Sequence, residues 1–417
     1  MIPKIAIIGA GPGGSMLARL LHVQNIHCTI FEGETSMNVR AQGGTLDLRA
    51  KTGLLAIKEA GLWDTFQQHA RYDGEALLVT DKNLTTWMRR SQGAPDQKRS
   101  VGEAPEIDRS DLRNILLQSI PKECIRWGMK LAHVEESGEG CELHFSNGDV
   151  ERGYDLIIGC DGAFSKTRTL LSSEQPFYTG LGGWTMQIPD AKTNAPDIYK
   201  FVNRGSVFAY SDGKSMSIQQ LSSGNIWVST YRPRIEEDPR ASDLKVGDLA
   251  SVKKELMLQY KNWAPELQAV LLQTQGDAVW RSLYMLPVGF IWPHKKGITL
   301  LGDAAHLMTP FAGIGVNTAF YDALLLSREI VKFTTSKQQS DLDDHVMKYE
   351  KEMFKHAHEA QALTYGCMKD MFLTKGAPRT TIESWILRHA KADMPAWSHP
   401  FLTVLAYTVF WVYKWFV

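Results

Sequence analysis

The chain has 417 residues, 44% of them apolar and 22% charged, which fits an ordinary globular protein with a sizeable core and excludes a disordered one. Its 46 Lys and Arg are balanced by 46 Asp and Glu, so the basic excess of a nucleic-acid footprint is missing. Five scattered cysteines without CxxC spacing argue against a disulfide scaffold or a zinc site, so no metal is expected, and they suit a reducing, cytoplasmic compartment.

In "KIAIIGAGPGG" the run at 5–8 is apolar throughout, as befits a parallel strand covered on both faces. "SMLARLLHV" then has helical spacing and "CTIFE" at 28–32 reads as a second strand, completing one βαβ unit. No secretory signal is expected ahead of a fold that starts at residue 4. Residues 73–101 are polar and irregular, and "EIDRSDLRNILLQSI" after them reads as a helix with Asp108 near its start. Residues 125–160 are β-rich, with turns at "ESGEG" and "SNGD", and "YDLIIGCDGAFSKTRTLL" gives a strand, a turn and the start of a helix. From about 175 to 235, short strands between Gly, Asn, Asp and Ser turns read as an antiparallel sheet. "HKKGITLLGDAAH" returns to the buried-strand pattern, and most of 316–375 is helical.

The last segment, "FLTVLAYTVFWVYKWFV" at 401–417, is different. Fourteen of its 17 residues are apolar or aromatic and Lys414 is its only charge. It is short for a membrane span, and Trp411, Tyr413 and Trp415 are residue types that favour a membrane interface. Two readings stand: a helix docked on the protein's own surface, or one in contact with a membrane.

Gly9, Gly11 and Gly14 form G-x-G-x-x-G between a strand and a helix, where glycines allow a tight turn and close approach of a diphosphate to the helix N-terminus. Glu32 ends the second strand 18 residues after Gly14, placed to accept from the hydroxyls of an adenosine ribose. Only one such fingerprint exists, so one dinucleotide has a dedicated site. "ITLLGDAAH" and "PFAGIGVN" favour FAD over NAD, because FAD is long enough to reach a second strand-turn-helix. There Asp303 can accept from ribityl hydroxyls, and Gly313, Gly315, Val316 and Asn317 can offer backbone N–H groups to the flavin's pyrimidine edge.

The N-terminal fingerprint with Glu32, "DLIIGCDGAFSKTR" (155–168) and "GDAAHLMTPFAGIGVNTAFYDALLL" (302–326) together resemble the group A flavoprotein monooxygenases, the FAD-dependent aromatic hydroxylases. The resemblance implies an α/β fold: a Rossmann-like FAD-binding domain of the p-hydroxybenzoate hydroxylase type, an inserted antiparallel-sheet substrate domain and C-terminal helices. Mapped onto the chain, 1–72, 102–172 and 277–335 form the FAD-binding domain and 73–101 with 173–276 the substrate domain. Residues 336–400 are then a helical region and 401–417 the apolar helix. "RAQGGTLDL" (40–48), "PEIDRSDLRNILL" (105–117) and "GDAAHLMTPFAG" (302–313) are most similar to the tetracycline-inactivating members. By that resemblance Arg40 meets NADPH, Gly44, Asp47 and Arg109 belong to the FAD site, Asp161 serves FAD and NADPH, and Asp303 holds the ribityl end. Without it, Arg109 would read as an exposed helix residue bridged to Asp108 or Asp111.

The family leaves the hard chemistry to its cofactor, so no catalytic side chain is expected and His306 reads as structural. NADPH (or NADH) would reduce FAD, O2 would add to the reduced flavin, and the resulting hydroperoxide would pass one oxygen atom to an aromatic or polycyclic, polyketide-like substrate. Gln187 fits a position used against the drug, while Ser206 and Trp227 stand where those enzymes use an arginine and a histidine, which argues against tetracycline itself. Pro310 and Phe311 are candidates for an apolar wall, and Trp184, Phe208 and Trp227 for the substrate side of the sheet. No HExxH, Ser/His/Asp elbow or metal-ligand spacing is present. A flavin halogenase is the alternative, since "WTMQIP" resembles W-x-W-x-I-P with Met186 in place of the second Trp. An oxidase or a non-enzymatic flavin-binding protein are the others.

Overall fold

Five short apolar runs, remote in sequence, become neighbours in one parallel sheet. Their order is Ile298–Leu300, Leu156–Gly159, Ile5–Ile8, Cys28–Glu32, Ile125–Trp127. The computed structural model describes residues 2–37, 43–91, 104–138, 140–234, 246–336 and 341–417. Its chain divides into two units: Met1–Ala70, Ser100–Phe177 and Tyr284–Ala362; and Arg71–Arg99, Tyr178–Leu283 and Leu363–Val417.

In the first unit all four residues of Ile5–Ile8 are buried, because crossovers between parallel strands cover both sheet faces. Helix Pro12–Val23 buries Met16, Leu17, Leu20 and Leu21 and lies against helix Gly315–Thr335. Gly13 permits that approach: a Cβ there would stand 2.7 Å from Leu301 Cδ1 and 3.4 Å from Ala319 Cβ. Leu131–Ser137, Gly140–Phe145 and Val150–Glu151 form a separate antiparallel ribbon with Gly140–Phe145 in the middle.

The helix expected within 106–120 has Asp108 at its N-cap, near its start as expected, and only the residues before it differ. Glu106–Asp108 is a strand paired antiparallel with Thr45–Asp47, and the helix runs Arg109–Gln118. Cross-strand hydrogen bonding wins over helical periodicity here, helped by Thr45 Oγ1 donating to Glu106 Oε2 at 2.5 Å.

The second unit is built on an eight-stranded sheet. Its order is Val246–Gly247, Gln275–Met285, Phe177–Ile188, Ile226–Pro233, Lys214–Gln220, Ser206–Ser211, Leu77–Thr80, Thr86–Arg90. The last two lie in the stretch expected to be irregular. Of the outermost, only Trp87 is buried, so an edge strand with little apolar patterning reads as a loop. Met186, Ile188, Val207, Ile218, Ile226 and Val228 point to one face and form a core with Val252, Leu256, Leu267 and Val270. Those last four come from helices Leu249–Gln259 and Pro265–Gln273.

The C-terminal helix, His399–Tyr413, buries no residue fully. Tyr413 Oη donates to Thr86 O at 2.5 Å, Lys414 Nζ reaches Glu383 Oε1 at 2.6 Å, and Arg379 donates to the carbonyls of Lys414 and Val417. Among the described residues no helix is long and apolar enough to cross a membrane.

Candidate functional site

The strand Ile5–Ile8 feeds into Gly9, whose φ of +106° only glycine adopts readily. A Cβ at Gly9 would lie 2.5 Å from Cys160 O, and one at Gly14 would lie 2.2 Å from Gly9 O. Gly11 is different: a Cβ there would meet nothing within 4 Å. It faces open space at the N-terminus of helix Pro12–Val23, which has no side-chain cap. The unpaired N–H groups of that first turn carry a partial positive charge suited to an anion. Beside them Glu32 accepts from Ala10 N at 2.6 Å and from Glu34 N at 2.9 Å, which fixes the carboxylate and leaves lone pairs for hydroxyls.

The second strand-turn-helix repeats the design. Strand Ile298–Leu300 leads to Gly302 at φ +63°, and Asp303 follows. Asp303 is solvent-exposed although many protein atoms surround it. Accessibility decides its role, because a ligand can reach it; depth still pushes its carboxyl up, countered in part by His306 and then Arg109. Gly315 opens helix Gly315–Thr335, also without a side-chain cap, and a Cβ on it would again meet nothing within 4 Å. Gly313 turns at φ +67°, where a Cβ would lie 3.3 Å from Asp47 Oδ1.

Asn317 joins these pieces. Its Oδ1 accepts from Arg49 N at 2.8 Å and Thr52 Oγ1 at 3.3 Å, and its Nδ2 donates to Asp47 O at 2.8 Å. The side chain is therefore fully engaged by Arg49, Thr52 and Asp47. Gly44 O accepts from Arg109 N at 3.2 Å, so positions 44–47, 109, 303 and 313–317 are linked within one unit. Asp161 closes its own turn: it accepts from Ser165 Oγ at 2.5 Å, Lys166 N at 2.7 Å and Thr167 N at 3.0 Å. Arg40 lies outside the described residues.

Several organising residues escaped sequence reading. Arg168 is 1% exposed and donates to Ala304 O at 2.9 Å and Ala163 O at 2.8 Å, tying the Asp161 turn to the segment after Asp303. Arg113 reaches Glu34 Oε2 at 2.5 Å and Met37 O at 3.1 Å, bracing the loop after Glu32. Its signal was an arginine amid the buried leucines of 112–117.

Asp322, fully buried, accepts from Gly302 N at 2.9 Å and lies 2.6 Å from His306 Nε2 and 2.7 Å from His356 Nε2. Burial pushes the Asp322 carboxyl up, but His306 and then His356 overcome this and hold it below the usual carboxylate range. Burial pushes His306 down, yet Asp322 and then Asp303 outweigh it and raise it. Asp322 and His306 thus form a buried, mutually stabilising hydrogen-bonded pair, one residue behind the Asp303 turn.

In the second unit, register places Gln187 beside Trp227, Trp227 beside Gln219, and Gln219 beside Ser206. Thr185, Ser229, Ser217 and Phe208 form the adjacent row. Gln187, Trp227 and Phe208 therefore share the sheet face opposite the helix-covered core. Trp184, expected with them, sits on the other face: it packs against that core and meets Trp280 edge-on at 5.2 Å. Along the Phe208 face Tyr210 is covered by Phe372, ring centroids 5.8 Å apart. Pro310 and Phe311 belong to the first unit, in the short turn Pro310–Ala312.

Comparison with known proteins follows the same outline. The family described as "FAD binding domain" matches residues 3–247 and 292–363. Monooxygenase penA of Penicillium thymicola is 30% identical, over 87% of this chain and 94% of its own. Among solved structures, Klebsiella pneumoniae HpxO complexed with FAD and uric acid superposes with a TM-score of 0.73 at 19% identity, over 98% of this chain and 96% of that one. Tetracycline destructase Tet(51) gives 0.68 at 18% identity, over 97% and 98%. At such identities the structural likeness shows the fold.

Proposed function

The chain belongs to the FAD binding domain family and is an FAD-dependent monooxygenase, and we propose that it oxygenates an aromatic or polycyclic, polyketide-like molecule using NADPH or NADH. The observation that carries the cofactor assignment is the pair of uncapped helix N-termini, each opening on space beside a glycine, Gly11 and Gly315. Gly9, Gly11 and Gly14 would hold the diphosphate, Glu32 the adenosine ribose, and Asp303 with Gly44, Asp47 and Arg109 the remainder of the chain. Backbone N–H groups of Gly315, Val316 and Asn317 would face the ring's pyrimidine edge. Asp161 would act through the turn it closes, and Arg40 on the nicotinamide. The chemistry supplied by bound FAD is electron transfer from the nicotinamide to O2, with one oxygen atom entering the substrate and the other leaving as water.

For the substrate, Trp227 and Phe208 offer aromatic surface in one sheet face that also carries the amides of Gln187 and Gln219. That mixture suits a flat ring system bearing oxygen substituents. The test is NAD(P)H consumption with O2 uptake across phenols, polyketides and tetracyclines. A compound that stimulates both and gains one oxygen atom supports the reading. Stimulation only in the presence of halide, with a halogenated product, would replace it by halogenation.

We further propose that the C-terminal helix rests on a lipid surface. Phe401 is 72% exposed, Trp411 64%, Trp415 75% and Phe416 81%, and Val404, Leu405, Tyr407, Val409 and Val412 are exposed with them. These positions cover about half of the helix perimeter, far more than scattered surface apolars. Residues 363–417 hold six Lys or Arg against three Asp or Glu, which favours anionic lipid over a second copy of the same basic surface. At roughly 1.5 Å per residue the helix is about 22 Å long, so it would lie in the interface. Sedimentation with phosphatidylserine vesicles should carry down the full chain and not Trp411→Glu/Trp415→Glu; equal sedimentation, or self-association without vesicle binding, would refute it.

A further inference from the structure

The antiparallel ribbon of the first unit gathers four metal-type ligands that no sequence spacing reveals. His133 and Glu135 alternate on strand Leu131–Ser137, and Glu142 and His144 on Gly140–Phe145. Register sets His133 opposite His144 and Glu135 opposite Glu142, so all four project from one face. Leu143, Phe145 and Val134 take the opposite, buried face. A register shift between Leu131 and His133 sets this alignment, in keeping with bulges as devices that re-aim a side chain.

The imidazoles stack in parallel, ring centroids 4.4 Å apart at 8°. His144 Nε2 lies 3.4 Å from Glu135 Oε2 and 3.5 Å from Glu142 Oε2, and this buried nitrogen has no hydrogen-bond partner. Ligand atoms of His133, Glu135 and His144 all fall within 4.8 Å of one another. Tetrahedral zinc sets its ligand atoms about 3.3 Å apart, a spacing that side-chain rotation alone can reach on an exposed face. Two glutamates directly opposite each other are otherwise unfavourable. Arg152 Nε answers only part of that charge, at 3.0 Å from Glu142 Oε1, and leaves Oε2 of Glu142 directed at His144.

We propose that His133, Glu135 and His144, with Glu142 beside them, form a binding site for a divalent first-row transition ion, zinc above all. Two imidazoles select such an ion over magnesium or calcium, which prefer oxygen ligands alone. The ion would clip the two strands together and relieve the facing carboxylates; its role is structural, apart from the cofactor reaction.

The FAD-loaded enzyme, stripped of metal with chelator, is titrated calorimetrically with ZnCl2, and melting is recorded with and without the metal. One site per chain and a higher melting temperature are expected. His133→Ala or His144→Ala should weaken zinc binding by more than about tenfold and abolish the thermal gain. Glu135→Gln, at an exposed position, should weaken it without disturbing the fold. His27→Ala, at an exposed position outside the ribbon, should leave it unchanged, and MgCl2 should give no signal. Equal zinc uptake by wild type and His133→Ala/His144→Ala, or by wild type and Glu135→Gln, would overturn the assignment, as would wild-type affinity weaker than about 1 mM.

Discussion

Gly11→Ala and Gly14→Ala separate cofactor space from protein packing. A methyl at Gly11 meets no protein atom within 4 Å. Alanine is a poorer N-cap than glycine but loses less backbone entropy on folding, and these terms of about 1 kcal/mol or less oppose each other. The FAD-free variant should therefore melt close to wild type. The methyl does project into the space assigned to the diphosphate, and losing one charge-assisted hydrogen bond costs about 1.5–3 kcal/mol. FAD affinity should fall roughly tenfold to 150-fold. At Gly14 the same methyl would stand 2.2 Å from Gly9 O and 3.1 Å from Cys160 Cβ, so the FAD-free fold itself should lose about 1–3 kcal/mol or more. Flavin-fluorescence titration and thermal denaturation of both FAD-free variants give the comparison. Unchanged FAD affinity in Gly11→Ala, or a large drop in its FAD-free melting temperature, would refute the reasoning.

Asp303→Asn should weaken FAD binding yet raise the FAD-free melting temperature at neutral pH, because depth already disfavours the charged carboxylate; a fall in both would point to a packing role. Asp322→Asn should cost about 3–5 kcal/mol by leaving His306 without its buried counter-ion. His306 is raised in the fold, so its contribution is complete below its unfolded value near 6.5 and is lost as pH rises through the raised one. Stability should therefore decline with alkaline pH in wild type and flatten in Asp322→Asn, as followed by melting across pH. Trp227→Ala should raise KM for the substrate far more than it lowers NAD(P)H affinity; equal effects would exclude contact with substrate.

The outline of the first unit was legible because its signals are local. An apolar run, a glycine turn and a helix follow one another within 5–23, and 298–335 repeats that order. Residues whose partners lie far along the chain were not legible. Arg168 meets a carbonyl 136 residues away, and Asp322 gains His356 from a different helix, 34 residues on. Strand Glu106–Asp108 exists because Thr45–Asp47 pairs with it, and nothing in its own three residues announces that. Trp184 was misplaced for a related reason. In a sheet the face depends on parity, and "GWTMQIP" places Trp184 with Met186 and Ile188, which are core, and not with Gln187. The four-residue cluster on the ribbon is likewise a product of register, two residues from each of two strands.

The two uncapped helix N-termini also bear on how the enzyme survives without its cofactor. A ligand that satisfies both ends is bound by the native state and not by the unfolded chain. Apparent stability therefore follows RT ln(1 + [L]/Kd), about 2.7 kcal/mol when free FAD stands at 100 times Kd. Flavin supply and protein lifetime are coupled through this term. A cell short of riboflavin would lose the polypeptide to unfolding and proteolysis as well as its activity, and a purified preparation would age at a rate set by the FAD in its buffer.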